Sequence, residues 1–133
     1  MHVTRMSRRL HPSGLLSRRL VAGATAALTA TALSTLLLAT GAGGWHVATF
    51  AVMPDIALLV GIAPGLAKGQ IHPRAVPLYN ALHHLAGPAL LAAAALLGLG
   101  MPWLAAALAW ATHIAIDRAI GYGPRTAGGF QRA

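Results

Sequence analysis

From Met101 to Gly123 the chain reads MPWLAAALAWATHIAIDRAIGYG. Up to Tyr122 this is an apolar stretch close to the roughly 20 residues that carry a helix across a bilayer core. It closes on GYG, where Gly121 or Gly123 can adopt a left-handed C-cap. Within it stand His113, Asp117 and Arg118. The whole chain has only two acidic residues, Asp55 and Asp117. An ionised Asp at the centre of a membrane helix costs about 2.5–3.5 kcal/mol on insertion scales, so it normally faces a protein interior and finds partners. His113 lies one turn back, at i−4 on the same face.

Three more segments of this kind precede it: Leu20–Ala42, Trp45–Leu66 and Ala75–Leu99. Breaker-rich stretches separate them: Gly41–Gly44, Pro64–Arg74 and Gly98–Pro102. Only 9% of the 133 residues are charged and 56% are hydrophobic. A soluble domain is about 25% charged, so the composition is that of a membrane protein. The net charge of +8 does not indicate nucleic-acid binding, because the basic residues lie between apolar blocks and build no groove-reading element. The absence of cysteine excludes disulfides, iron–sulfur clusters and thiolate metal sites.

The basic residues orient the segments. Arg5, Arg8, Arg9, Arg18 and Arg19 precede the first; Lys68 and Arg74 lie in the second connection; Arg118, Arg125 and Arg132 lie at or beyond the end of the fourth. With four spans all ten fall on one side, and the positive-inside rule makes both termini cytoplasmic. The expected fold is an all-α integral membrane bundle of four transmembrane helices, multi-pass in the inner (plasma) membrane. Its partner is the lipid bilayer, with a basic mobile N-terminal tail (1–19) and a short basic C-terminal tail (124–133). A rival reading takes the twin arginines and weakly apolar core of the first segment as an export signal, but the uncharged run is longer than the 7–15 residues usual for such a core. Gly23, Ala27, Thr31 and Thr35 form an i, i+4 stripe, and Gly61 with Gly65 a GxxxG pair. Such small-residue faces suit helix contact in lipid, within the chain or in a homo-oligomer; an Ala- and Gly-rich composition also produces them by chance.

Depth, counted at 1.5 Å per residue from the cytoplasmic helix ends, places Asp55, His83 and His113 in one layer ~12–14 Å in. Tyr79 and Asp117 lie about one turn nearer the cytoplasm. Tyr79 shares a helix face with His83, Asn80 shares another with His84, and Trp110 lies on the His113 face. Arg118 points about 100° from Asp117 and is expected to snorkel to headgroups. Asp55, His83, His113 and Asp117 together are suitable ligands for a divalent transition metal, zinc, manganese or iron, and a metal centre here would suit a membrane-embedded hydrolase. The same residues also suit a structural polar network, or the pathway of a small proton, ion or solute transporter. No P-loop, dinucleotide motif, nucleophile elbow or HExxH fixes a reaction.

The stretches MPDIALLVG (Met53–Gly61), YNALHHLAGP (Tyr79–Pro88) and WATHIAIDRAIGYG (Trp110–Gly123) resemble the domain-of-unknown-function 4260 family, small bacterial integral membrane proteins. The resemblance covers about residues 45–130. It implies family positions at Pro54, Asp55, Tyr79, Asn80, His83, Pro88, His113, Asp117, Arg118, Gly121, Tyr122 and Gly123. It implies the membrane topology and this residue set, and no activity.

Overall fold

The computed structural model describes residues 12–132. Arg5, Arg8 and Arg9 of the expected tail lie outside them. Among the described residues the fold is all-α. Helix α1 (Pro12–Thr40) is followed by α2 (Gly44–Val52), a tight turn at Met53–Asp55 and α3 (Ile56–Val60). After a loop and a tight turn at Pro73–Ala75 come α4 (Val76–Leu82), α5 (Ala86–Ala94), a wide turn at Ala95–Leu99, and α6 (Met101–Ile120).

Helix α6 is the hub, packing against α1, α2 and α5. It can take neighbours on several sides because its inner surface is small: Ala105, Ala106, Ala107, Ala109 and Ala115 are all buried. Its end follows the sequence reading, with Gly121 in the left-handed region (φ 100°) and its N–H bonded to the Arg118 carbonyl.

The expected boundaries shift elsewhere. Helix α1 begins at Pro12, ahead of Leu20. One helix, Ser13–Thr40, is long and apolar enough to cross a bilayer, or two if the bent pair Pro73–Leu82 and Ala86–Leu99 is one span. The second segment stops at Val60 rather than Leu66, so Gly61 and Gly65 do not share a helix face. A Cβ on Gly61 would come within 2.9 Å of the Ile71 side chain, and this close approach turns the chain back at that point. On α1 the stripe positions Ala27, Thr31 and Thr35 are exposed. The face turned to α6 instead holds Ala22, which is buried, and Thr29, which is hydrogen-bonded to Thr112 at 2.8 Å.

The expected continuous third helix is broken at His83–Leu85 and bends by 44°. Pro88 explains the position. It has no N–H for the His84 carbonyl at i−4, and its ring crowds that oxygen. The Gly87 N–H bonds the His84 carbonyl instead, at i−3, and the Ala86 N–H bonds the His84 Nδ1. The carbonyls of Leu82 and His83 thereby lose their helical donors. Helix α6 supplies replacements: Trp110 Nε1 donates to Leu82 O at 2.7 Å, and Arg118 Nη2 donates to His83 O at 3.2 Å. The Trp110 ring reaches its carbonyl by lying directly over Gly87, where any Cβ would collide with it.

The C-terminal segment folds back as a clasp. Arg125 and Gln131 form an isolated antiparallel bridge. The Ile71 N–H bonds the Gly129 carbonyl, and Asn80 bonds both the N–H and the carbonyl of Arg125.

Candidate metal centre

Two different devices bring the site together. His113 and Asp117 come from uninterrupted α6, where the i, i+4 spacing puts them on one face. Asp55 and His83 come from places where the helix is interrupted by proline. Pro54, buried, is the middle residue of the tight turn that ends at Asp55, and His83 caps α4 at the break set by Pro88.

One ligand atom from each of Asp55, His83, His113 and Asp117 lies within 4.8 Å of all the others. His83 Nε2 is 3.7 Å from Asp55 Oδ1 and 3.3 Å from Asp117 Oδ2. His113 Nε2 is 3.6 Å from each of the same oxygens. Asp55, His83, His113 and Asp117, the four residues expected as ligands, thus come together in one cluster, Asp117 reaching it from one turn beyond His113 on α6.

The imidazoles are aimed. His83 is buried, and its Nδ1 is 2.9 Å from the Tyr79 carbonyl oxygen. A carbonyl only accepts, so Nδ1 carries the proton, and in the neutral ring Nε2 is a bare lone pair facing the carboxylates. Neither His83 Nε2 nor His113 Nε2 has a hydrogen-bond partner, although both atoms are buried. Asp55 is the open side of the cluster. Its side chain is 44% exposed, against 3% for His83 and 19% for Asp117, and it lines a cavity with apolar neighbours Val52, Met53, Ile56 and Leu59.

The remaining expected site residues surround the cluster without entering it. Tyr79 is buried and stacks on the His83 ring with centroids 4.0 Å apart. The Arg125 guanidinium also lies over the Tyr79 ring, 4.8 Å from its centroid. Asn80 does not pair with His84; it holds the C-terminal clasp, while His84 caps the break. Arg118, expected to snorkel, has one donor fixed on the His83 carbonyl.

Two residues escaped the sequence reading. Arg125 is buried, donating to the Gly69 and Gly129 carbonyls at 2.9 and 2.8 Å. Gln131 approaches the Tyr79 hydroxyl at 3.5 Å. Neither is announced by a short polar tail. The nearest signal was Asn80, a polar residue with no partner on its own helix.

Residues 22–133 match the model of the domain of unknown function DUF4260. The chain belongs to the DUF4260 family. The match takes in most of α1 and the C-terminal clasp as well as all four cluster residues, which makes it broader than the resemblance read from the motifs alone. No curated protein and no solved structure matches the chain.

Proposed function

We propose that this DUF4260 protein is a multi-pass protein of the inner membrane whose Asp55, His83, His113 and Asp117 hold a divalent transition metal, and that the centre serves hydrolysis. The observation that carries this reading is the pair of buried imidazole Nε2 atoms that face two carboxylate oxygens without a hydrogen bond. A tetrahedral zinc site with bonds of about 2.0–2.1 Å has ligand–ligand edges of roughly 3.3–3.4 Å. The four His–Asp separations run from 3.3 to 3.7 Å, close to that edge, and all four ligand atoms lie within 4.8 Å of one another, wider than a closed tetrahedron. A structural network would be expected to join the same groups by hydrogen bonds, since a buried polar atom left unpaired costs about 1–3 kcal/mol. Here neither Nε2 makes a hydrogen bond, although each lies 3.3–3.7 Å from both carboxylate oxygens.

A bound metal would supply Lewis acidity toward a scissile carbonyl or phosphoryl group. The chain's own contribution is orientation. The Tyr79 carbonyl fixes the His83 tautomer, and the Tyr79 ring fixes the tilt of the imidazole. Asp55, the most exposed of the four, stands where a substrate would arrive and offers a second oxygen to a proton.

Metal analysis of protein purified without chelators tests the reading. We expect near-stoichiometric transition metal in the wild type and its loss in His83→Ala and His113→Ala. Folded wild-type protein that takes up no zinc, manganese or iron on titration would refute it. The four-span topology is supported by the one-sided basic residues and is tested separately. Reporters fused after Gly43 and after Gly100 are expected on the outer side, and cytoplasmic signals at both positions would end that topology.

A further inference from the structure

A cavity of about 770 Å³ lies between the N-terminal half of α1, the end of α6 and the C-terminal segment. Four arginines line it: Arg18, Arg19, Arg118 and Arg132. Two of the guanidiniums lie close against backbone. Arg118 is fixed on the His83 carbonyl. Arg19 lies over Gly121, where a Cβ would come within 2.6 Å of its Nη2. No side-chain carboxylate is left to neutralise them, because the chain's only two are both in the His–Asp cluster. Cations gathered in one concavity without a counter-charge create a strong positive potential there, and guanidinium forks match phosphate oxygens bidentately.

The rest of the wall is of opposite character. Leu15, Val21, Ala22, Leu85 and Ala115 line the same cavity. Leu16 and Leu20 continue an exposed apolar surface along α1. A free phosphate would satisfy the arginines and leave that wall against water. A phosphate attached to a hydrocarbon chain satisfies both.

We infer that this cavity binds an anionic phospholipid, its phosphate among Arg18, Arg19, Arg118 and Arg132 and its acyl chains along α1. The inference rests on the membrane reading above, which puts all four arginines on the cytoplasmic side, where the leaflet carries anionic lipid. It is independent of the metal.

The test is native mass spectrometry of the full chain in a neutral detergent, with phosphatidylglycerol, phosphatidylcholine of the same chain length, or glycerol phosphate added. Arg18 and Arg132 are exposed, so Arg18→Gln/Arg132→Gln removes two charges without touching the bundle's interior. We expect retained phosphatidylglycerol, little phosphatidylcholine, and an affinity for phosphatidylglycerol lower by about 30-fold in the double variant, on the usual contribution of an arginine near anionic lipid. Arg18→Lys/Arg132→Lys should recover part of it. Equal retention of the two lipids, unchanged binding in the glutamine variant, or glycerol phosphate bound as tightly as the lipid would each overturn the inference. Carbonate extraction of the native membrane fraction reports on the membrane reading by itself. Protein released by carbonate would refute that reading, whatever the lipid result.

Discussion

Helix α1 and the broken third segment both carry polar side chains within apolar sequence, and they treat them in opposite ways. On α1 four hydroxyls bond their own helix: Thr25 to Val21 O, Thr29 to Thr25 O, Ser34 to Ala30 O and Thr40 to Leu36 O, all at 2.8–2.9 Å, and only Thr29 among these four also takes a bond from another element, Thr112 of α6. The helix draws little on other elements for its polar groups, runs unbroken over 29 residues and exposes most of its surface. In the third segment the polar groups serve other elements. His83 faces α6 and the Pro54–Asp55 turn, Asn80 holds the C-terminal clasp, and the carbonyls freed by Pro88 are satisfied from α6. Polar groups satisfied locally leave a helix free to stand alone. Polar groups satisfied at a distance tie several elements to one geometry, and the candidate site lies where those ties converge.

The comparison can be broken most sharply at Trp110. In Trp110→Phe the ring over Gly87 largely remains, but the donor to the Leu82 carbonyl is lost. A carbonyl left unpaired in an apolar interior costs about 1–3 kcal/mol. The residue after Leu82 is a cluster member, so the expected result is that loss of stability in denaturant unfolding, together with weaker zinc binding in competition titration. A variant as stable as the wild type would show that the break holds without α6, and that the third segment is as self-sufficient as α1.

The same contrast explains what could be read from the sequence. The face of α6 was legible because nothing interrupts it: i, i+4 spacing alone puts His113 beside Asp117. The meeting of Asp55 with His83 was legible only as shared depth. Their actual approach depends on two proline interruptions, and a proline in a membrane-like helix marks a break only if neighbours can satisfy the freed carbonyls. Pro88 stood in plain view, while Trp110 and Arg118, the donors that make the break affordable, lie 28 and 35 residues from the carbonyls they serve. The clasp was illegible for a related reason. Arg125 carries no periodicity, and its partners Asn80, Gly69 and Tyr79 are set by the fold of the loop and of α4.

The smallest effect is expected on the other side of the comparison. Ser34 is exposed and its hydroxyl donates only to Ala30 O, a carbonyl within its own helix. Ser34→Ala removes that bond without creating a buried unpaired group. It also replaces serine with the residue of highest helix propensity. Surface substitutions of this kind usually stay within about 0.5 kcal/mol, and unfolding in detergent should show a change no larger than that, with metal content unaltered. A loss well above 1 kcal/mol would mean that the hydroxyl reaches a donor or acceptor outside the chain. A second copy packed on the exposed face of α1 would supply one there. A loss that vanished on dilution to monomer would then mark the exposed small-residue face, with Ala27, Thr31 and Thr35, as a contact between copies, and α1 would no longer stand as the self-sufficient helix of the pair.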